Sequence, residues 1–192
     1  SGAGADGDID TDQEGTSPSD SAEEGENVDP KHKGFETLDM NVLQARHHRW
    51  RFNLVTGKTR EEPLSETCSE FPMINGQHWG RPYRYSYNAL CACGLFAFNG
   101  LVKHDVETGA ETFWHAPEGT FVSETVVAPR LGSTAEDDAY LLTFSCDMVN
   151  DESHCEIFDA ADPTVGPIAR VKLPERISSG THATWAPASQ LT

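Results

Sequence analysis

Basic residues are scarce in this chain and absent from its first thirty residues. The 192 residues carry 14 Lys or Arg against 31 Asp or Glu, and residues 1–30 hold ten of those acids. Phosphate binding needs clustered Lys and Arg, so the charge balance argues against nucleic acid as a partner. Residues 1–34 are predicted to be a disordered acidic segment, and residues 35–192 to be the folded part. An acidic arm of the histone-like or cation-binding kind is the less favoured interpretation.

Long apolar runs and a regular cysteine framework are also missing. No run reaches the ~20 residues of a transmembrane helix. The N-terminus has no basic region followed by an apolar core, which would mark a signal peptide. The five cysteines form no even set with regular spacing. We therefore expect reduced thiols and a cytoplasmic location.

Helical periodicity beyond a turn or two is absent, and hairpin patterns take its place. Strands of mixed polarity joined by short polar turns recur every ~50 residues, a spacing typical of propeller blades. The three hairpins cover residues 46–64, 101–115 and 155–173. The sequence thus predicts an all-β fold of about three blades, each of which must stack on its neighbours to bury its faces.

Several short motifs follow one another along the chain in a fixed order. A Glu-Phe-Pro step at residues 70–72 precedes a Gly-Arg-x-x-Arg-Tyr stretch at residues 80–85. Phe-Val-Ser-Glu at residues 121–124 comes next, and a glycine-containing bend at residues 178–185 presents His182. Further matching runs lie at residues 135–142, 157–162 and 171–174. In this combination the chain resembles the C-terminal part of the carotenoid cleavage oxygenase family, and its bacterial lignostilbene dioxygenase-like branch in particular.

The resemblance implies a seven-bladed β-propeller with a non-haem iron(II) held by four histidines. His182 matches the last of these ligands, and Glu70 and Glu124 match glutamates that orient ligating imidazoles. We expect Glu124 to pair with His182. The other three ligands of the family lie upstream of the matched part. The chain is therefore interpreted as a C-terminal fragment or a truncated copy, and the isolated fragment is expected to be inactive.

The remaining histidines are interpreted as surface or strand residues. They show neither the His-x-x-x-His spacing on a helix nor a Cys-His cluster that would indicate another metal site. They are His32, His47, His48, His78, His104, His115 and His154.

The expected function is that of the intact protein. The resemblance implies cleavage of a C=C bond in an apocarotenoid or a stilbene by O2, giving carbonyl products. Phe98, Phe121 and Trp185 are candidates to line the substrate tunnel, although aromatic residues in strands more often belong to the core. Peripheral contact with membranes is also implied, with no amphipathic helix to support it.

Two other classes stay open from the sequence. One is a non-catalytic propeller module that binds a partner through its loops. The other is a calcium-dependent, lactonase-like hydrolase, for which Glu136, Asp137 and Asp138 are the local candidates.

Overall fold

The structure, a computed structural model, describes residues 42–92, 94–178 and 180–191. It contains ten strands: β1 (Arg46–Phe52), β2 (Thr59–Met73), β3 (Tyr85–Cys91), β4 (Phe98–Asp105), β5 (Glu111–His115), β6 (Thr120–Val122), β7 (Val126–Pro129), β8 (Ala139–Asp147), β9 (Glu152–Asp159) and β10 (Ala169–Lys172). Short 3-10 helices occupy Gly76–His78, Pro163–Val165 and Ala188–Gln190, and the described ranges contain no α-helix. The all-β prediction is confirmed. The acidic segment lies outside the described residues, so its predicted disorder stays a prediction.

The strands form two antiparallel sheets. The first has the order β1-β2-β3-β4-β5. The second has the order β10-β9-β8-β6, and β7 also pairs with β8. In the first sheet, strands that follow one another along the chain lie side by side, whereas in the second sheet β6 and β7 both pair with β8 and not with each other.

The hairpin turns share one local construction. A side-chain oxygen of Asn53, Asp105 or Asp147 accepts hydrogen bonds from the backbone N–H groups two and three residues further on. In the first two turns a glycine follows at positive φ, +69° at Gly57 and +76° at Gly109. Glycine adopts this region without the steric cost of a Cβ atom. Two of the short polar turns predicted from the sequence lie at these positions.

The predicted number of about three blades is not confirmed. β2 is 15 residues long, and its first half pairs with β1 while its second half pairs with β3. The first predicted hairpin therefore joins the second one in a single sheet. The return strand that the sequence predicted to start within residues 58–64 is β2, which continues to Met73.

The hydrophobic core lies where the two sheets meet. Both sheets contribute buried side chains, which include Tyr87, Leu101, Leu141 and Phe158. The hydroxyl of Tyr87 donates a 3.1 Å hydrogen bond to the backbone oxygen of Ala160 in the other sheet. A buried Tyr hydroxyl needs such an acceptor, and here it also fixes the sheets relative to each other.

The acidic run before β8 forms part of this junction. Glu136 accepts hydrogen bonds from the backbone N–H groups of Arg84 and Tyr85 at 2.7–3.0 Å. Asp137 lies 2.9 Å from the ammonium of Lys103, and Asp138 lies 2.9 Å from the guanidinium of Arg130. Glu136 and Asp137 thus tie the second sheet to the first through charge-assisted contacts, whereas the Asp138 contact lies within the connection from β7 to β8.

Lys103 is a buried cation at the centre of these contacts. Its side chain is 9% exposed, and its ammonium also donates a 2.8 Å hydrogen bond to the Ala161 backbone oxygen. The Tyr85 ring lies beneath it, with 4.2 Å between Nζ and the ring centroid. Burying an ammonium is costly without such partners. These contacts therefore stabilise the buried Lys103 ammonium.

Replacing Lys103 with methionine is expected to destabilise the chain by about 2 kcal/mol, because the buried pair and the cation–π contact are both lost. Chemical denaturation measures the change as a lower midpoint. Lys172→Met is the matched control, since the Lys172 side chain is 62% exposed and pairs with Glu152 at the surface. A shift of equal size in both variants would contradict the role given to Lys103.

Candidate metal and substrate site

His182 lies on the C-terminal segment after β10, which is hydrogen-bonded to the second sheet on both sides of this histidine. The backbone N–H of Ile177 donates a 3.1 Å hydrogen bond to the Ser153 hydroxyl. Further along, the backbone N–H of Ala183 donates a short hydrogen bond to the Glu124 carboxylate. Between these anchors the His182 side chain is 81% exposed, with Nδ1 3.5 Å from Oε2 of Glu124. One ring nitrogen therefore faces a carboxylate and the other faces away from it.

Glu124 is buried at an irregularity of the second sheet. β6 and β7 both pair with β8, where Val122 is opposite Ser145 and Val126 is opposite Leu142. Three residues on one side, Ser123 to Thr125, thus face two on the other, which is the geometry of a β-bulge. A bulge interrupts the alternation of side chains and can aim one of them in a new direction. Here the redirected side chain is the Glu124 carboxylate, 9% exposed, beside His182.

Glu70 occupies a comparable irregularity in the first sheet. It pairs with Ala89, and the next paired residues are Met73 and Tyr87, so Phe71 and Pro72 face only one residue of β3. Phe71 has a φ of +54°, which is uncommon for a residue with a side chain and costs backbone strain. The Glu70 side chain is half-buried and accepts no hydrogen bond from the described residues.

Phe71 connects the Glu70 bulge to His182. The two rings meet edge to face, with 5.5 Å between centroids and 79° between their planes. On its other side Phe71 packs against Phe98, at a centroid distance of 5.2 Å. The strained backbone at the bulge thus places an aromatic ring against one side of the imidazole.

A cleft of about 380 Å³ opens next to these residues. Its wall includes residues that follow each candidate site residue along the chain: Met73 after Glu70, Val126 and Val127 after Glu124, and Trp185 after His182. Trp79 and Leu131 complete a largely apolar lining. Such a lining suits an apolar ligand.

The three predicted tunnel residues lie in different surroundings. Trp185 lines the cleft, and its role toward a substrate stays a prediction. Phe98 is 4% exposed and packs in the core against Phe71 and Phe96. Phe121, on β6, is half-buried, and neither phenylalanine lines the cleft. A role for Phe98 and Phe121 toward a substrate stays a prediction.

Two histidines interpreted as surface or strand residues are buried in the first sheet. His47 and His104 are 8% and 3% exposed, and their ring centroids are 4.9 Å apart. Nδ1 of His104 lies 3.0 Å from a carboxylate oxygen of Glu111. Burial, the neighbouring His104 and the Arg49 guanidinium lower the pKa of His47 from 6.5 to about 4, and Glu111 acts in the opposite direction. Burial likewise lowers the pKa of His104.

This histidine pair predicts a pH-dependent stability. The folded state favours the neutral form of His47. The contribution of His47 to the free energy of unfolding is therefore complete above pH 6.5 and is lost as the pH falls toward 4. The loss of stability is expected to be about 3 kcal/mol in this window. Denaturation midpoints measured from pH 7 to pH 4 give the slope.

The variant His47→Leu is expected to have a shallower slope, because its side chain cannot be protonated. His115→Gln replaces an exposed histidine and is expected to keep the original slope. Equal slopes for the original chain and His47→Leu would contradict the assignment to His47.

His182 fits the requirements of one metal ligand. A ligating histidine has one nitrogen free for the metal and the other facing an acceptor, commonly a carboxylate. His182 has this arrangement with Glu124. Within the described ranges, no three His, Cys, Asp or Glu side chains come together as a metal site. His182 is therefore a candidate for one ligand of a larger set.

The fold and the site together define a class of protein. It is an antiparallel β-protein in which two β-bulges carry glutamates beside a histidine. A family model described as retinal pigment epithelial membrane protein matches residues 9–187. The chain belongs to this family, and the resemblance to carotenoid cleavage oxygenases found in the sequence is confirmed. The match begins within the acidic segment.

Similar proteins include oxygenases that are named for two kinds of substrate. The chain is 34% identical to apocarotenoid-15,15'-oxygenase from Synechocystis sp., over 79% of this chain and 31% of that protein. It is 30% identical to lignostilbene-alpha,beta-dioxygenase isozyme III from Sphingomonas paucimobilis, over 75% and 32%. A crystal structure of cobalt-substituted Synechocystis ACO superposes with a TM-score of 0.68 at 32% identity, over 72% and 29%. The chain thus spans about a third of the length of these relatives.

The described residues contain no helix with the length and apolar character needed to cross a membrane.

Proposed function

We propose that the full-length gene product is a non-haem iron(II)-dependent dioxygenase that cleaves a C=C bond of an apocarotenoid or a stilbene. The observation that carries the proposal is the contact between the exposed His182 imidazole and the buried Glu124 carboxylate. The names of the relatives, an apocarotenoid oxygenase and a lignostilbene dioxygenase, support the reaction class. A relative described as cobalt-substituted supports a metal centre.

Each candidate residue has a separate part in this proposal. The Nε2 atom of His182 would ligate iron, while Glu124 holds the ring from its Nδ1 side and raises its basicity. Phe71 restricts the tilt of the ring from the other side. Glu70, which has no hydrogen-bond donor among the described residues, is available to orient a further ligating imidazole. When bound, iron(II) supplies an open coordination position at which O2 is activated.

The apolar cleft supports an alkene as the substrate. Its lining by Met73, Trp79, Leu131 and Trp185 would hold an extended hydrophobic molecule and exclude water. The reaction would add one oxygen atom to each carbon of the double bond and give two carbonyl products. The substrate would be a lipophilic or phenolic alkene, with O2 as the second reactant.

The same proposal gives the two sheets a place in a larger fold. Each sheet contains a four-stranded meander, which is the content of one propeller blade. We infer that they are two adjacent blades of a seven-bladed propeller, with His182 near its hub. Cytoplasmic location and peripheral contact with membranes stay predictions from the sequence.

The two other classes considered from the sequence gain no support. The acids proposed for calcium, Glu136, Asp137 and Asp138, are already engaged by backbone N–H groups, Lys103 and Arg130. A calcium site needs several such oxygens free to converge on one point. A non-catalytic module is not supported by relatives that are named as oxygenases.

Iron content and oxygen uptake of the full-length gene product test the proposal. The protein is loaded anaerobically with iron(II), and bound iron, O2 consumption and carbonyl products are measured with a phenolic stilbene and an apocarotenal. About one iron per chain and one O2 consumed per alkene cleaved are expected. Absence of stoichiometric iron and of uptake with both substrates would overturn the proposal.

A further inference from the structure

Two cysteines lie opposite each other on adjacent strands of the first sheet. β2 and β3 pair with Ser69 opposite Leu90 and Glu70 opposite Ala89. Continuing this antiparallel register by one residue places Cys68 opposite Cys91. Directly opposed residues of antiparallel strands have Cα atoms about 4.5–5.5 Å apart and side chains on the same face. This separation lies within the range that a disulfide requires.

The surroundings of the two thiols are consistent with this pairing. Both are free cysteines and half-buried, so a small oxidant can reach them from solvent. Burial, the adjacent Cys68 thiol and the Glu70 carboxylate raise the pKa of Cys91. The two sulfur atoms are thus close to each other and to Glu70. Because Cys91 keeps its proton at neutral pH, the first attack on an oxidant belongs to Cys68.

The second sheet contains a natural comparison. Cys146 on β8 is opposite Ser153, and Cys155 on β9 is opposite Phe144. These two cysteines are offset by two residues along the same strand pair. Diagonal neighbours of this kind have Cα atoms about 7–8 Å apart, beyond the usual reach of a disulfide. The two sheets therefore offer one matched pair and one mismatched pair of cysteines.

We propose that Cys68 and Cys91 form a thiol–disulfide site that hydrogen peroxide closes, clamping β2 to β3 beside the Glu70 bulge. The Cys68 thiolate attacks one peroxide oxygen, the O–O bond breaks, and the departing hydroxide takes up a proton to leave as water. The Cys91 sulfur then attacks the resulting sulfenic acid, the S–O bond breaks, and a second water leaves. The two thiols lose two electrons, and hydrogen peroxide gains them.

The position of the clamp links it to the candidate metal site. Cys68 precedes Glu70 by two residues, and the strained Phe71 that contacts His182 comes directly after Glu70. A disulfide between β2 and β3 would fix the regularly paired residues that directly precede the Glu70 bulge. The inference itself needs only the strand register and does not depend on the proposed oxygenase activity.

Mass spectrometry and thermal unfolding of this chain test the proposal. The reduced chain is treated with hydrogen peroxide, free thiols are alkylated, and a digest is analysed without reduction. A peptide that joins Cys68 to Cys91 is expected, together with a rise in Tm on the order of 5–10 °C that dithiothreitol reverses. Cys68→Ser and Cys91→Ser are each expected to abolish both the crosslink and the rise, whereas Cys155→Ser keeps them.

Other crosslinks would overturn the proposal. A dominant bond from Cys68 to Cys93, a bond between Cys146 and Cys155, or intermolecular bonds alone would contradict the assigned register. Oxidation of Cys68 to sulfinic acid with Cys91 left free would do the same. If the serine variants fail to fold, the crosslinked peptide from the original chain and the Tm of Cys155→Ser still decide the question.

Discussion

Replacing His182 with alanine is expected to weaken iron binding by the full-length gene product at least about 100-fold and to abolish O2 uptake with a stilbene or an apocarotenal. Loss of a group that only orients a ligand costs about 10–100-fold in metal affinity or activity. Loss of the ligand itself is expected to reduce metal affinity by more than this. Bound iron after dialysis against a competing chelator measures the affinity, and an oxygen electrode measures the activity. His182 is 81% exposed, so the variant is expected to fold.

The control for this experiment is His115→Ala. His115 is also exposed, but it lies on β5 and stacks on Phe113 rather than on a carboxylate. It is expected to retain iron and activity. Retention of iron and activity by the His182 variant would remove the basis for placing the metal here.

Replacing Glu124 with glutamine is expected to lower metal affinity by about 10–100-fold while the fold is kept. Glutamine has nearly the same shape and still offers a carbonyl oxygen to the N–H of Ala183. It lacks the negative charge that makes the facing Nδ1–H a strong donor and the opposite ring nitrogen a better ligand. The measurements are iron retention, activity and the thermal unfolding midpoint.

Glu118→Gln is the matched control for this substitution, because Glu118 is an exposed glutamate in the turn before β6. It is expected to leave all three quantities unchanged. If Glu124→Gln lowers the unfolding midpoint while iron retention stays constant, Glu124 is a structural acid and not an orienting one. Measuring iron affinity and thermal stability separately therefore distinguishes an orienting role of Glu124 from a structural one.

Much of the fold could be predicted because it depends on local chemistry. Short polar turns with Gly57 and Gly109 mark the hairpins, and alternating polarity marks the strands between them. The extent of β2 could not be predicted in this way. Pro63 and the polar residues around it interrupt the apolar pattern, yet the strand continues because β1 and β3 pair with different halves of it.

The candidate site could be predicted only as a set of residue types. Motif order pointed to Glu70, Glu124 and His182, and the contact between the last two was expected from their nearness along the chain. The bulges at both glutamates depend on the register between paired strands, and this register could not be predicted from the single sequence. The burial of His47 and His104 was missed for a related reason, since each lies in a strand whose polar pattern suggests solvent.

The extra residue at each bulge has a consequence for how this protein tolerates change. Side chains along a regular strand alternate between two faces, and the extra residue of a bulge interrupts this alternation while the later residues keep their partners. Shortening either glutamate segment by one residue would restore regular pairing, so the glutamate would return to the ordinary alternation and lose the direction that the bulge gives it. Evolution can therefore exchange the amino acids around these acids far more freely than it can alter the count of residues between them and the next paired position.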